Sequence, residues 1–91
     1  MTELEQARQI ISETDKEMAR LFERRMDAVR QVAAYKRQHG LPVEDAAREE
    51  QVIAAALPEI VCEEYRPAFA ALLRCMMERS KALQRGWLEQ P

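Results

Sequence analysis

Apolar residues recur along the first forty positions with the period of one α-helix. Leu4, Ile11, Met18, Phe22, Met26, Val29, Val32 and Ala33 share a stripe, and no Gly or Pro interrupts it before Gly40. The pattern predicts a first helix over about Glu3 to His39, ~55 Å long at the helical rise per residue. Gly40 is its expected C-cap and "GLPV" the turn. A second helix is expected from Asp45 or Ala46, turning Val52, Ile53, Ala56 and Leu57 inward, with Pro58 ending or kinking it. "PEIVCEEYRP" reads as one helical turn or a loop. Pro67 suits the first turn of a third helix, which carries Phe69, Leu72, Leu73, Met76, Leu83 and Trp87 on one face and is expected to fray near Gly86.

Only two Gly occur in 91 residues and β-branched runs are absent, so the expected class is all-α, one three-helix domain spanning residues 1–91. A chain this short cannot cover so long a first helix by itself. Two first helices packed along each other in a homodimer would cover it.

The stripes are not purely apolar. Arg25 and Lys36 fall within roughly 40° of Val29, at the centre of the first helix's stripe, and Arg8 and Asp15 project into it as well. On the second helix Arg48 and Glu49 flank the direction of Val52, with Asp45 one turn earlier. On the third, Ser80 lies within ~40° of Met76, and Gln84 sits one turn on. Each residue has a plain structural explanation. Asp45 can be an N-cap, Arg48 can pair with Glu44, Asp15 with Arg8, Ser80 can bond back to its own helix, and Arg25 and Lys36 can snorkel from the stripe's edge. Together they are harder to explain so, because four cations (Arg8, Arg25, Lys36, Arg48) face only three acids. A small polyanion would neutralise that excess, and Arg forks suit carboxylates. Arg25 and Lys36, ~16 Å apart along the helix, can converge on one small molecule, whereas Arg8 is ~25 Å from Arg25. If Arg8 serves the same pocket, it comes from a second subunit.

Charge and motif content narrow the classes further. A net charge of -2 argues against a nucleic-acid or anionic-membrane surface. No stretch approaches the ~20 apolar residues of a membrane span, and no signal peptide opens the chain, so a cytoplasmic location is expected. Cys62 and Cys75 read as free thiols in helix packing, and the lone His39 makes a zinc site unexpected. No metal or cofactor is expected, and no phosphate loop or nucleophile elbow is present.

With these residues in view, the chain resembles the all-helical family of chorismate mutases. The likeness runs through "LEQARQIISETD", "ERRMDAVRQVAAYKRQHGLPVEDAAREEQVI" and "MMERSKALQ". Its specific part is Arg25, Lys36 eleven residues on, a Pro-containing turn, the run Asp45-x-x-Arg48-Glu49, and Ser80-x-x-x-Gln84. Around Pro58 there is no specific match. The resemblance implies an intertwined two-fold homodimer with two active sites, each borrowing one arginine across the interface. By position that arginine is Arg8, while Arg25, Lys36, Asp45, Arg48, Glu49, Ser80 and Gln84 belong to one protomer's pocket.

The implied reaction rearranges chorismate to prephenate in phenylalanine and tyrosine biosynthesis, without nucleophile, metal or cofactor. Arg8 and Arg25 suit the substrate's two carboxylates, with a hydrogen bond from Ser80. Lys36 and Gln84 suit the ether oxygen. Glu49, with the Asp45 region, accepts from the ring hydroxyl, and Arg48 contacts a carboxylate or holds Glu49. Two other readings stand beside this one: an isochorismate pyruvate lyase of the same fold, and a non-catalytic helical interaction module.

Overall fold

The computed structural model describes residues 1–89, and among them there are three α-helices and no strand. Helix α1 spans Glu3–His39. Thr2 caps it, its Oγ1 accepting the Glu5 N–H at 3.1 Å while Glu5 reaches back to the hydroxyl, the reciprocal arrangement of a T-x-x-E start. At the other end Gly40 takes the left-handed conformation (φ 64°) and Leu41 N–H donates to the Lys36 carbonyl at 2.8 Å. Glu3 and Glu5 in the first turn and Lys36, Arg37 and His39 in the last complement the helix dipole.

Helix α2 spans Ala46–Ala56, with the Asp45 carboxylate capping the Arg48 N–H at 3.0 Å. The segment that sequence left open between helical turn and loop folds as two single 3₁₀ turns, Leu57–Glu59 and Glu63–Tyr65. Arg66 Nε spans back to the Ile60 carbonyl at 2.8 Å and ties the two together. Helix α3 spans Arg66–Glu89, with Pro67 in its first turn where the missing N–H is harmless.

Both α1 and α2 pack on α3, and they do not pack on each other. Ile53 of α2 meets Leu73 and Met77 of α3 in the core, surrounded by Val52, Ala56, Leu57, Phe69, Ala70 and Met76. The second half of α1 lies along α3 through buried Met26 and Ala33. The first half lies outside the core: every residue from 1 to 24 is exposed, including Leu4, Ile11, Met18 and Phe22. The molecule is 55 Å long, the length of α1 alone.

Three expectations need correction. The buried face of α3 runs through Leu73, Met77, Ser80, Lys81 and Gln84, whereas Leu72 and Leu83 are about half exposed. The face is rotated because α3 must serve α1 and α2 at once, so its buried line falls between them. Helix α3 also continues through Gly86 to Glu89 without fraying; Trp87 there stacks under the Arg30 guanidinium at 4.3 Å and anchors the last turn to α1. Cys62 and Cys75 are free but exposed, not packed.

The two glycines therefore predict opposite effects of alanine. Gly40→Ala forces a Cβ into a left-handed residue and should destabilise by about 1 kcal/mol. Gly86→Ala places its Cβ in open space within a helix and should stabilise by up to about 1 kcal/mol. Urea unfolding followed by circular dichroism measures both.

Candidate functional site

Because α1 and α2 meet only through α3, a gap opens between them, and α3 forms its floor. The gap is a cavity of about 250 Å³. Its apolar wall is Ala28, Val29, Val32, Val43, Val52 and Met77. Into it the structure brings Arg25 and Lys36 from α1, Asp45, Arg48 and Glu49 from the start of α2, and Ser80 and Gln84 from α3. These seven are the residues that sequence assigned to one protomer's pocket. Arg8 is not among them. It is exposed on the free half of an uninterrupted α1, ~25 Å from Arg25 by the helical rise.

Arg25 is half-buried, and burial lowers its pKa by disfavouring the charged form. Its Nη1 donates to Ser80 Oγ at 2.9 Å, and Ser80 donates to the Met76 carbonyl at 2.8 Å. Ser80 has a single proton, so bonding back to its own helix turns its lone pairs toward Arg25. Lys36 Nζ donates to the Val43 carbonyl at 3.0 Å, which pins the α1–α2 connection and leaves two N–H groups free to turn. Asp45 does serve as an N-cap while standing at the cavity rim. Gln84 is buried in the floor, and its Oε1 has no hydrogen-bond partner in the protein. An orphaned buried amide oxygen costs about 1–3 kcal/mol, and rotation of the amide can present either end to the cavity.

Sequence reasoning missed Lys81. It is buried beside Ser80, lines the cavity, and places its Nζ 2.9 Å from Glu44, 2.9 Å from Glu49 and 2.7 Å from Glu78. Those hydrogen bonds, from Glu78 first and then Glu49 and Glu44, raise its pKa against the effect of burial. The signal was available: Leu73, Met77, Ser80, Lys81 and Gln84 are a continuous i, i+4, i+7, i+8, i+11 line. Centring the stripe on Met76 and Leu83 hid it. The expected Glu44–Arg48 pair is likewise replaced, because Glu44 bridges Lys81 and Arg85, the latter at 3.1 Å. Glu49 is held by Lys81 and not by Arg48.

The lining carries four cations (Arg25, Lys36, Arg48, Lys81) and two acids (Asp45, Glu49), an excess of +2. Setting Lys81 against Glu49 leaves the same excess on Arg25, Lys36 and Arg48. A second hollow of about 350 Å³ lies where Trp87 and Leu88 meet α1, but its Arg30 is stacked on Trp87 and its lining has no acid. Among the described residues no group of three or more His, Cys, Asp or Glu could hold a metal ion, and no helix is long and apolar enough to cross a membrane.

Such a site, a cation-rich cavity between two helices bridged by a third in an all-helical protein, has the charge and size to suit a small anion. The chain belongs to the chorismate mutase type II family, whose sequence model matches residues 7–85. At the level of the family, that means chorismate mutase activity, an isomerisation. No solved structure matches the chain.

The clasp at Glu44 has a pH signature. Its hydrogen bond to Lys81, with further help from Arg85, holds the Glu44 carboxyl below its ordinary 4.5. The pairing therefore stabilises the fold above about pH 4.5, and the stabilisation is lost as pH falls through the lowered folded value. Glu44→Gln should lower the thermal midpoint at neutral pH, and the gap to wild type should close on acidification. Parallel midpoint curves at all pH values would contradict this.

Proposed function

We propose that this chain rearranges chorismate to prephenate in phenylalanine and tyrosine biosynthesis, acting as an intertwined two-fold homodimer. The observation that carries the reading is the charge of the cavity: an excess of +2 within one protomer, to which the reading adds Arg8, favours a substrate with two carboxylates. The rearrangement is unimolecular, one ether C–O bond breaking as one C–C bond forms. The protein's task is to hold a compact conformer and to stabilise negative charge growing on the ether oxygen. A rigid cationic cavity walled by Val29, Val32 and Val52 suits that task.

In this reading Arg25, aimed by Ser80, takes one carboxylate. Lys36 and Gln84 converge on the ether oxygen, one as a charge and the other as a neutral donor through Nε2. Glu49 accepts from the ring hydroxyl, and Arg48 with Asp45 closes the mouth on the remaining polar groups. Arg8 completes the cavity of the other protomer, because its own lies beyond reach. The exposed apolar half of α1 supports the dimer, since a partner's α1 covers Leu4, Ile11, Met18 and Phe22 while delivering Arg8. One domain over residues 1–91 and a cytoplasmic setting complete the reading; the free, exposed Cys62 and Cys75 fit a reducing compartment.

Incubation with chorismate should yield prephenate. Release of pyruvate from isochorismate would favour the lyase, and no turnover of either would favour an interaction module. Lys36→Ala should reduce kcat/KM by two or more orders of magnitude, about 3 kcal/mol or more of transition-state stabilisation, with the helical signal unchanged. Gln84→Glu should lose activity at neutral pH, where a carboxylate repels the growing oxyanion, and regain it as pH falls and the acid can donate. A flat profile at wild-type activity would remove Gln84 from the ether oxygen.

Arg8→Ala and Lys36→Ala homodimers should each be nearly inactive. Subunit exchange between equal amounts gives about half heterodimers, each with one intact site, so roughly a quarter of wild-type activity should return. Verified heterodimers as inactive as their parents would place Arg8 outside the partner's site.

A further inference from the structure

We propose that Lys81 is a positioning residue for the Glu49 carboxylate, an inference that rests on the mutase reading of the cavity. The ammonium has three N–H donors, and three carboxylates accept them, those of Glu44, Glu49 and Glu78, at 2.9, 2.9 and 2.7 Å. No donor remains for a substrate, although Lys81 lines the cavity. It therefore acts through its partners. Glu49 Oε1 takes the bond to Lys81, so the carboxylate is fixed in direction and its second oxygen stays available for the ring hydroxyl. The other two carboxylates anchor the ammonium in turn: Glu78 from α3 itself and Glu44 from the connection that Lys36 grips at Val43 from the opposite side. Lys81 is buried while Glu44 and Glu78 are exposed, so the cluster links the cavity lining to the outer surface on that side.

Removal of the cation has a specific consequence. Three carboxylate oxygens that shared one nitrogen lie within about 6 Å of one another, with Arg85 bound to Glu44 alone. Repulsion drives them apart, and Glu49 is the only one of the three on the cavity wall. Its displacement weakens substrate binding.

The test is steady-state kinetics on chorismate with wild type, Lys81→Met, Lys81→Arg, Glu49→Gln and the Lys81→Met/Glu49→Gln double variant, each checked for helicity and assembly. Lys81→Met should raise KM about tenfold or more, the scale of a lost charged hydrogen bond, with kcat changed less than about threefold. Lys81→Arg should restore KM to within about threefold of wild type. In the Glu49→Gln background Lys81→Met should change KM by less than about threefold, because the group it positions is already neutral. Equal loss in both backgrounds would make Lys81 a field or substrate-contact residue and overturn the inference. An unchanged KM, with apparent kcat following the folded fraction, would reduce it to a structural ion pair and overturn it as well. Should Lys81→Met fail to fold, Lys81→Gln takes its place in the same cycle, with the same expectations. A wild-type chain that does not turn over chorismate overturns the mutase reading first, and the inference with it.

Discussion

Because α1 and α2 each pack on α3 and leave a gap between themselves, the face of α3 beneath that gap looks into the cavity. Leu73 and Met77 are matched by Ile53, but the next turns carry Ser80, Lys81 and Gln84, all buried. An apolar continuation there would favour closing α1 onto α2. Polar side chains there remove that drive, and the ion cluster at Lys81 with the Lys36–Val43 hydrogen bond holds the connection from both α3 and α1. Much of the cavity is thus an outcome of which residues α3 turns toward its neighbours, as much as of the residues that line it.

The helices were legible because their signals are local and strong. Thirty-seven residues without Gly or Pro, then a Gly at position 40 where a left-handed C-cap is expected, leave little room for another reading of α1. Asp45 and Pro67 mark the starts of α2 and α3 in the same way. The α3 face was misjudged by about one residue because rotation depends on what the helix packs against. A helix shared by two neighbours buries the line between them, which places Met77 and Lys81 inside and leaves Leu83 partly outside. The ion pairs were less legible still. Glu44 chooses Lys81 and Arg85, 37 and 41 residues away, over Arg48 four residues away. Asp45 turns its carboxylate to the Arg48 N–H, so it serves the backbone of Arg48 and not its side chain. Gly86 and the segment after Pro58 show the same limit: helix ends follow anchors such as the Arg30–Trp87 stack, which no local pattern announces.

Two of the candidate residues have a structural role and a proposed functional one, and the two need not compete. Ser80 bonds back to the Met76 carbonyl, which fixes its lone pairs toward Arg25. Asp45 caps α2, which places Arg48 and Glu49 on the first turn at the cavity mouth. A side chain that satisfies the backbone is held more rigidly than one that does not, and rigidity is what a positioned charge requires. The plain explanation of each residue is thus compatible with the role proposed for it.

Cations inside a helix stripe carry a folding cost that an apolar stripe would not. Arg25 keeps its charge against burial with a neutral hydroxyl as its partner, and Gln84 keeps an amide oxygen without one. Neither is how a chain maximises stability, since a well-packed apolar residue at either place is usually at least as stable. Both groups face the same 250 Å³ cavity. In the proposed reading, the desolvation borne by Arg25 is offset when an anion enters, and Gln84 contributes only once its amide turns Nε2, not the unpaired Oε1, toward that anion. Preorganisation of this kind lowers the reorganisation needed as charge moves during a reaction. The interior cations of α1 therefore belong with the orphan amide of α3 as one device, set by the gap that α3 holds open.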